Sequence, residues 1–188
     1  RQQCLNLIQY VIMMNVRKHN GATPKIHKTA YVDETAVVIG DVTIGEDSSI
    51  WPMSVIRGDV NTIIIGARTN IQDGSILHES HESEFSSGFP LVVGNDVTVG
   101  HKAILHACNI GDMCLIGMSA TVMDGAVLDD YVIIGAGSLV PPGKQLKSGF
   151  LYVGSPVKRM RELTDKEREF LGYSAKHYSV LKDSYSSC

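Results

Sequence analysis

The sequence predicts an all-β solenoid, a parallel β-helix with triangular coils, followed by one C-terminal α-helix. Three observations carry that expectation. Branched aliphatics recur at six-residue steps from Val32 to Val140, glycines often follow them, and a proline pair then precedes a charged segment with a helix-start pattern. The aliphatic series reads Val38, Ile44, Ile50, Ile56; then Ile65, Ile71, Leu77; then Val93, Val99, Leu105; then Ile110, Ile116, Val122, Leu128, Ile134, Val140. One inward residue per six, three sixes per coil, stacks equivalent residues at the strand spacing of about 4.8 Å. Glycine is expected to permit the turn conformations between faces.

At 188 residues, 44% hydrophobic and a formal charge of -3, the chain fits one globular domain with a sizeable core. Its basic residues are scattered, and the cluster 158–161, "KRMR", reads as solvated surface, which argues against a nucleic-acid partner. Cys4, Cys108, Cys114 and Cys188 have neither CxxC spacing nor disulfide-scaffold density, so a reducing, cytoplasmic setting is the default. Residues 1–20 lack an acid but also lack a long apolar core and a cleavage site, and they are too polar to span a bilayer. A peripheral helix or strand is expected there. Residues 1–21 are read as an N-terminal extension or an appended segment, 22–152 as the solenoid, and 153–188 as a linker and packing helix.

Breaks in the rhythm mark insertions. The step from Ile56 to Ile65 is nine, six plus three; the step from Leu77 to Val93 is sixteen, six plus ten, so "HESHESEFSSGFP" is an extruded loop. The repeat is expected to end near "VPPGKQL", because Pro141 and Pro142 donate no ladder hydrogen bonds. Thr164 and Glu167 form a capping-box pattern, and Phe170, Leu171, Tyr178 and Leu181 make a rough stripe that should cover the solenoid or a neighbouring subunit. The interspersed charges exclude a membrane helix.

With the insertions subtracted, Arg57, His78 and His106 each follow an inward aliphatic on one face of three successive coils. Imidazoles about 4.8 Å apart can both reach one zinc ion at Zn–N distances of about 2.0 Å. His101 lies on the preceding face, one coil from Asp73, and five residues of extended chain separate it from His106 by up to about 16 Å. One subunit should not close all three onto one ion. A cyclic trimer would, by bringing His101 to the His78–His106 pair of its neighbour. Three histidines leave the fourth position of a catalytic zinc open. His19, His27, His81 and His177 fall outside both files.

The stretches "VIRGDVNTIIIGARTNIQDGSILHES" and "VTVGHKAILHACNIGD" resemble the γ-class carbonic anhydrase family, and the likeness runs from about Ala22 into the terminal helix. The resemblance implies a homotrimer of left-handed β-helices with metal at each subunit interface, held by His78, His101 and His106. Zinc is the metal it implies, although imidazole ligands also suit Fe2+ or Co2+. It further implies a carbonate dehydratase (lyase) that interconverts carbon dioxide and bicarbonate through a metal-bound hydroxide. Arg57 and Asp59 match the family's Arg-x-Asp motif, and Gln72 and Asp73 its Gln-Asp pair. Arg57 and Asp73 then form an intersubunit ion pair, and Gln72 orients hydroxide or bicarbonate. Glu79, Glu82 and Glu84 lie where the family carries an acidic proton-shuttle loop; Glu82 and Glu84 are taken as the shuttle.

Two other readings fit the same solenoid, since fold does not fix function. One is a hexapeptide-repeat acyltransferase or a CoA-thioester hydrolase, the former using histidine as general base without metal. The other is a catalytically weak, metal-stabilised structural trimer.

Overall fold

Every one of the sixteen aliphatics in the six-residue series lies in a strand and is at most 1% exposed in the computed structural model, which describes residues 15–186. Parallel registers sort them onto three faces of a β-solenoid. The first face stacks Val38, Ile56, Leu77, Leu105, Val122 and Val140. The second stacks Ile44, Ile65, Val93, Ile110, Leu128 and Leu146. The third stacks Ile50, Ile71, Val99, Ile116, Ile134 and Tyr152. The strands Val37–Ile44 and Val55–Ile65 run round the corner from the first face to the second. The three-residue insertion is absorbed inside Val55–Ile65, where the register shifts opposite Gly40 and Val42. The expected helix or strand of residues 1–20 falls mostly outside the described residues; Val16–Arg17 pairs with Val38 and Ile39.

The coil does not end at the prolines. Leu146 and Tyr152 continue the six-residue step and pair with Leu128 and Ile134. At the positions flanking each inward residue of the first face the backbone N–H points to the following coil, as Thr121 N donates to Ser138 O at 2.8 Å and Met123 N to Val140 O at 3.1 Å. Leu139–Val140 is the terminal strand of the first face, so the N–H that Pro141 lacks would have had no acceptor. On the second face, Lys147 N donates to the Tyr152 hydroxyl at 2.8 Å. On the third, Phe150–Gly154 is covered by the antiparallel strand Val157–Glu162. That strand carries the exposed "KRMR" cluster.

Glycine acts as expected in part: Gly74, Gly125, Gly137 and Gly143 hold left-handed turn positions with φ between 65 and 68°. Other left-handed turn positions hold side chains, including Asp47, Met53, Arg68, Asp96 and Lys102, with φ between 52 and 59°. The glycines directly after inward aliphatics, such as Gly45 and Gly66, are needed for close contact and not for a left-handed turn. A Cβ on Gly66 would meet Gly94 C at 2.6 Å, and one on Gly45 would meet Gly66 C at 2.6 Å. The coils are therefore stacked backbone on backbone at this corner.

Helix α1, Asp165–Ser186, starts with the expected capping box: Thr164 N donates to Glu167 Oε2 at 2.9 Å and Glu167 N to Thr164 Oγ1 at 3.3 Å. It lies on the third face. Leu171 of the expected stripe is buried and Tyr178 and Leu181 are partly buried, with Ser174, Ala175 and Lys182 completing the buried side, whereas Phe170 turns out and is 49% exposed. Trp51 packs edge-on against Tyr178 and Tyr185, with ring centroids 5.6 and 5.1 Å apart. Among the described residues no helix is long and apolar enough to cross a membrane.

Candidate metal centre

The outward places on the first face put Arg57, His78 and His106 in direct register, with Arg57 opposite His78 and His78 opposite His106. Both histidines are half-buried. His78 Nδ1 and His106 Nε2 face each other at 3.2 Å. The far nitrogen of each ring meets carboxylate: His78 Nε2 is 3.1 Å from Asp59 Oδ1, and His106 Nδ1 is 2.6 Å from Asp124 Oδ1.

Those carboxylates assign the ring protons. A bare nitrogen lone pair beside an anionic oxygen is repulsive, so His78 carries its proton on Nε2 and His106 on Nδ1. Neutral rings then present two lone pairs to each other across 3.2 Å. A cation between them, or a shared proton, relieves that contact. Two nitrogens bonded to one tetrahedral zinc at about 2.0–2.1 Å lie roughly 3.3 Å apart, which matches the gap.

His101 sits in the turn before the first face and its Nδ1 is 2.9 Å from Asp73 Oδ2, leaving Nε2 free among the described residues. All three histidines thus have a carboxylate on one nitrogen, the outer-shell arrangement typical of metal-ligating imidazole. His101 is not in the cluster formed by the other two. Among the described residues, the set of three metal-capable side chains within 4.8 Å of one another is Asp59, His78 and Glu79. Its chemistry favours a supporting role. Asp59 Oδ2 already accepts from Arg57 Nη1 at 2.6 Å, and Glu79 Oε1 accepts from the N–H groups of Val60 and Asn61 at 2.8 and 2.9 Å.

Glu79 is fully buried, and its Oε2 lies 3.0 Å from His78 Nε2 without forming an aligned hydrogen bond, which Asp59 takes. Burial alone would push the Asp59 carboxyl up, but the hydrogen bonds from Arg57 and His78 outweigh it and hold it below the ordinary carboxylate range. Gln72 is 5% exposed and donates from Nε2 to Asn70 Oδ1 at 3.1 Å. Asn70 donates to Thr98 Oγ1, and Thr98 Oγ1 lies 2.9 Å from Ser174 Oγ on α1. This polar chain fixes the Gln72 amide.

Arg57 reaches Asp59, and Asp73 reaches His101, within the chain. Glu82 and Glu84 are exposed on the extruded loop, which is pinned by Ser80–Phe89 and Ser83–Ser86 bridges. The sequence reading did not single out Asp124, Asn70 or Ser174, and it counted Glu79 only as a loop acid. For Asp124 a signal existed: it lies one coil beyond His106, as Asp59 lies one coil before His78.

The family model for the bacterial transferase hexapeptide (six repeats) matches residues 23–58 and 107–142. Over 171 residues the chain is 53% identical to "Protein YrdA" of Escherichia coli, covering 90% of this chain and 93% of that one. It is 42% identical over 164 residues to "Gamma carbonic anhydrase 1, mitochondrial" of Arabidopsis thaliana, covering 87% of this chain and 60% of the plant protein. A hexapeptide transferase family protein from Anaplasma phagocytophilum has the same fold, with a TM-score of 0.85, 40% identity and coverage of 92% of this chain and 99% of that one.

Proposed function

The chain belongs to the γ-class carbonic anhydrase family of hexapeptide-repeat proteins, and from that premise we propose that it interconverts carbon dioxide and bicarbonate at a metal shared between subunits of a left-handed, homotrimeric assembly. One observation carries the metal: the 3.2 Å contact between His78 Nδ1 and His106 Nε2, in two rings whose far nitrogens are each held by a carboxylate, Asp59 and Asp124. The third ligand is His101 Nε2 of a neighbouring copy, oriented by Asp73. The surface beside the pair favours such a neighbour, because Ile76 and Ile104, two places before each histidine, are 44% and 39% exposed.

A zinc ion bound there supplies the Lewis acidity that makes water a nucleophile near neutral pH. Asp59 and Asp124 hold the two rings in the tautomers that face inward. Gln72 Nε2 donates to Asn70, and its carbonyl oxygen would be the end available to accept a hydrogen bond from water at the centre and fix that water's direction. Arg57, 42% exposed beyond its bond to Asp59, can also reach Asp73 of the neighbour, placing a cation at the subunit boundary. Glu82 and Glu84 are the acids available to take the released proton to solvent.

Metal content, molecular mass and stopped-flow carbon dioxide hydration measured on one preparation test this reading. The expected result is a trimer with one metal per chain whose hydration activity disappears with chelation and returns with zinc. A metal-loaded trimer with no hydration activity would leave the structural-assembly alternative. Acyl transfer from an acyl-CoA that survives chelation would favour the acyltransferase alternative, in which His101 and Asp73 form a base pair.

A further inference from the structure

A groove of about 480 Å³ runs between α1 and the third face, starting at Gln72 and His101 and continuing over Met118, Ile133, Phe170 and Tyr173. Its lining is apolar and open: Tyr173 is 65%, Met118 55% and Phe170 49% exposed. Elsewhere in the chain, the extruded loop carries Phe85, which at 90% is more exposed than any other large apolar side chain among the described residues. The loop is preformed. Ser80 N donates to Phe89 O at 3.1 Å, Ser83 N to Ser86 O at 2.8 Å, and Phe85 N to Ser83 Oγ at 3.2 Å, which holds the ring at the tip.

We infer that Phe85 of one subunit docks in the α1 groove of its neighbour, closing the shared site with an aromatic plug. The inference rests on the shared-metal reading, because that reading brings His78 of one copy to within roughly 4 Å of His101 of the next. The loop begins immediately after His78, and the groove begins at His101. The base of the first therefore stands at the mouth of the second.

The dimensions agree. From Ser80 to Ser83 the paired arm extends about 10 Å at strand rise, and from His101 past Met118 to Ala136 the groove climbs two coils, also about 10 Å. Charge agrees as well. Glu82 and Glu84 flank Phe85, whereas exposed Lys102 follows His101 and exposed Lys176 precedes His177 at the groove rim. A phenyl ring is an efficient anchor, since it buries a large area with few rotors to fix. The occupant is thus a second copy of this chain, and the docked loop carries Glu82 and Glu84 to the rim of the metal site.

Intersubunit disulfide mapping tests the docking in a background with Cys4 and Cys188 changed to Ser; Cys108 and Cys114 are buried and stay. Metal-loaded chains bearing Phe85→Cys are co-assembled in turn with chains bearing Met118→Cys, Ile133→Cys or Tyr173→Cys. Mild oxidation should give a covalent dimer in at least one mixture and in neither parent alone. Metal-loaded mixed trimers with no dimer in any of the three overturn the docking and leave the shared metal standing. Chains that bind metal as monomers overturn both. As an independent measurement, Phe85→Ala should raise the chain concentration for half-assembly by about tenfold; an unchanged value also overturns the docking.

Discussion

The third face and the first face share one interior but present opposite exteriors. Under α1, the third face turns out small polar groups that are buried and paired: Ser49 accepts from Trp51 Nε1, Asn70 holds Gln72, and Thr98 meets Ser174. On the first face, half-exposed Ile76 and Ile104 alternate with His78 and His106, whose inner nitrogens face each other at 3.2 Å. A face that has found its cover satisfies its hydrogen bonds within the chain. A face that still needs one shows aliphatic surface and unspent ligand atoms.

The largest expected effect tests the bare face. His106→Ala should weaken metal binding by about a hundredfold or more, measured by competition with a chromophoric chelator, and His101→Ala should do the same although it lies off that face. Mixed trimers of the two variants should recover metal at some interfaces. If exchange is demonstrated and no interface recovers metal, the two files do not share an ion.

Ile104→Glu puts a charge on the bare face without touching a ligand. Sedimentation should show dissociation to single chains with parallel loss of metal, while the unfolding free energy of the dissociated chain stays within about 0.5 kcal/mol. On the covered face the balance reverses. Leu171→Ala, at a side chain of α1 that is 1% exposed, should cost about 2 to 4 kcal/mol in urea unfolding. A Leu171→Ala chain that unfolds normally but fails to assemble would erase the distinction between the two faces.

Asp124→Asn should lower metal affinity by about ten- to a hundredfold with little change in stability, because the carboxylate acts on the ring of His106 and not on the coil. A heteronuclear spectrum of the imidazoles should show the His106 proton no longer confined to Nδ1. The smallest effect belongs to the start of α1. Hydrogen bonds from Arg161, then from the Thr164 backbone, hold Glu167 down at about 2 from 4.5. A depressed acid stabilises the fold above its unfolded value and loses that contribution as pH falls, so α1 should loosen slightly between about pH 4.5 and 2. Because the pair is solvent-exposed, the change should be slight and should vanish in Glu167→Gln.

The interior was legible because a coil demands one inward aliphatic per step, and substitution by anything polar would show in the rhythm. The stacking of Arg57, His78 and His106 was legible for the same reason: insertions displace the count without displacing the register. The end of the coil was not, because Pro141 looks like a breaker until its N–H is seen to have no acceptor, and Tyr152 is not an aliphatic. Phe170 was placed on the helix stripe beside Leu171 because the two are equally apolar in sequence, yet only Leu171 is buried. Glu79 escaped because its meaning depends on which nitrogen of the neighbouring His78 ring it faces, a matter of rotamer; Asp124 lay at a legible one-coil spacing from His106, but only the contact with Nδ1 gives that spacing a role.

A stack of parallel coils is an unfinished object, since its last turn offers the next chain the same rows of donors that each earlier turn offered its successor. Here each row is blocked separately, by Pro141 on the first face, by the Tyr152 hydroxyl at Lys147 on the second, and by the antiparallel strand on the third. Without them, copies could add end to end and grow as fibres. Three different stoppers at one end keep the protein a particle of fixed length, leaving the side of the prism as the place where copies can meet.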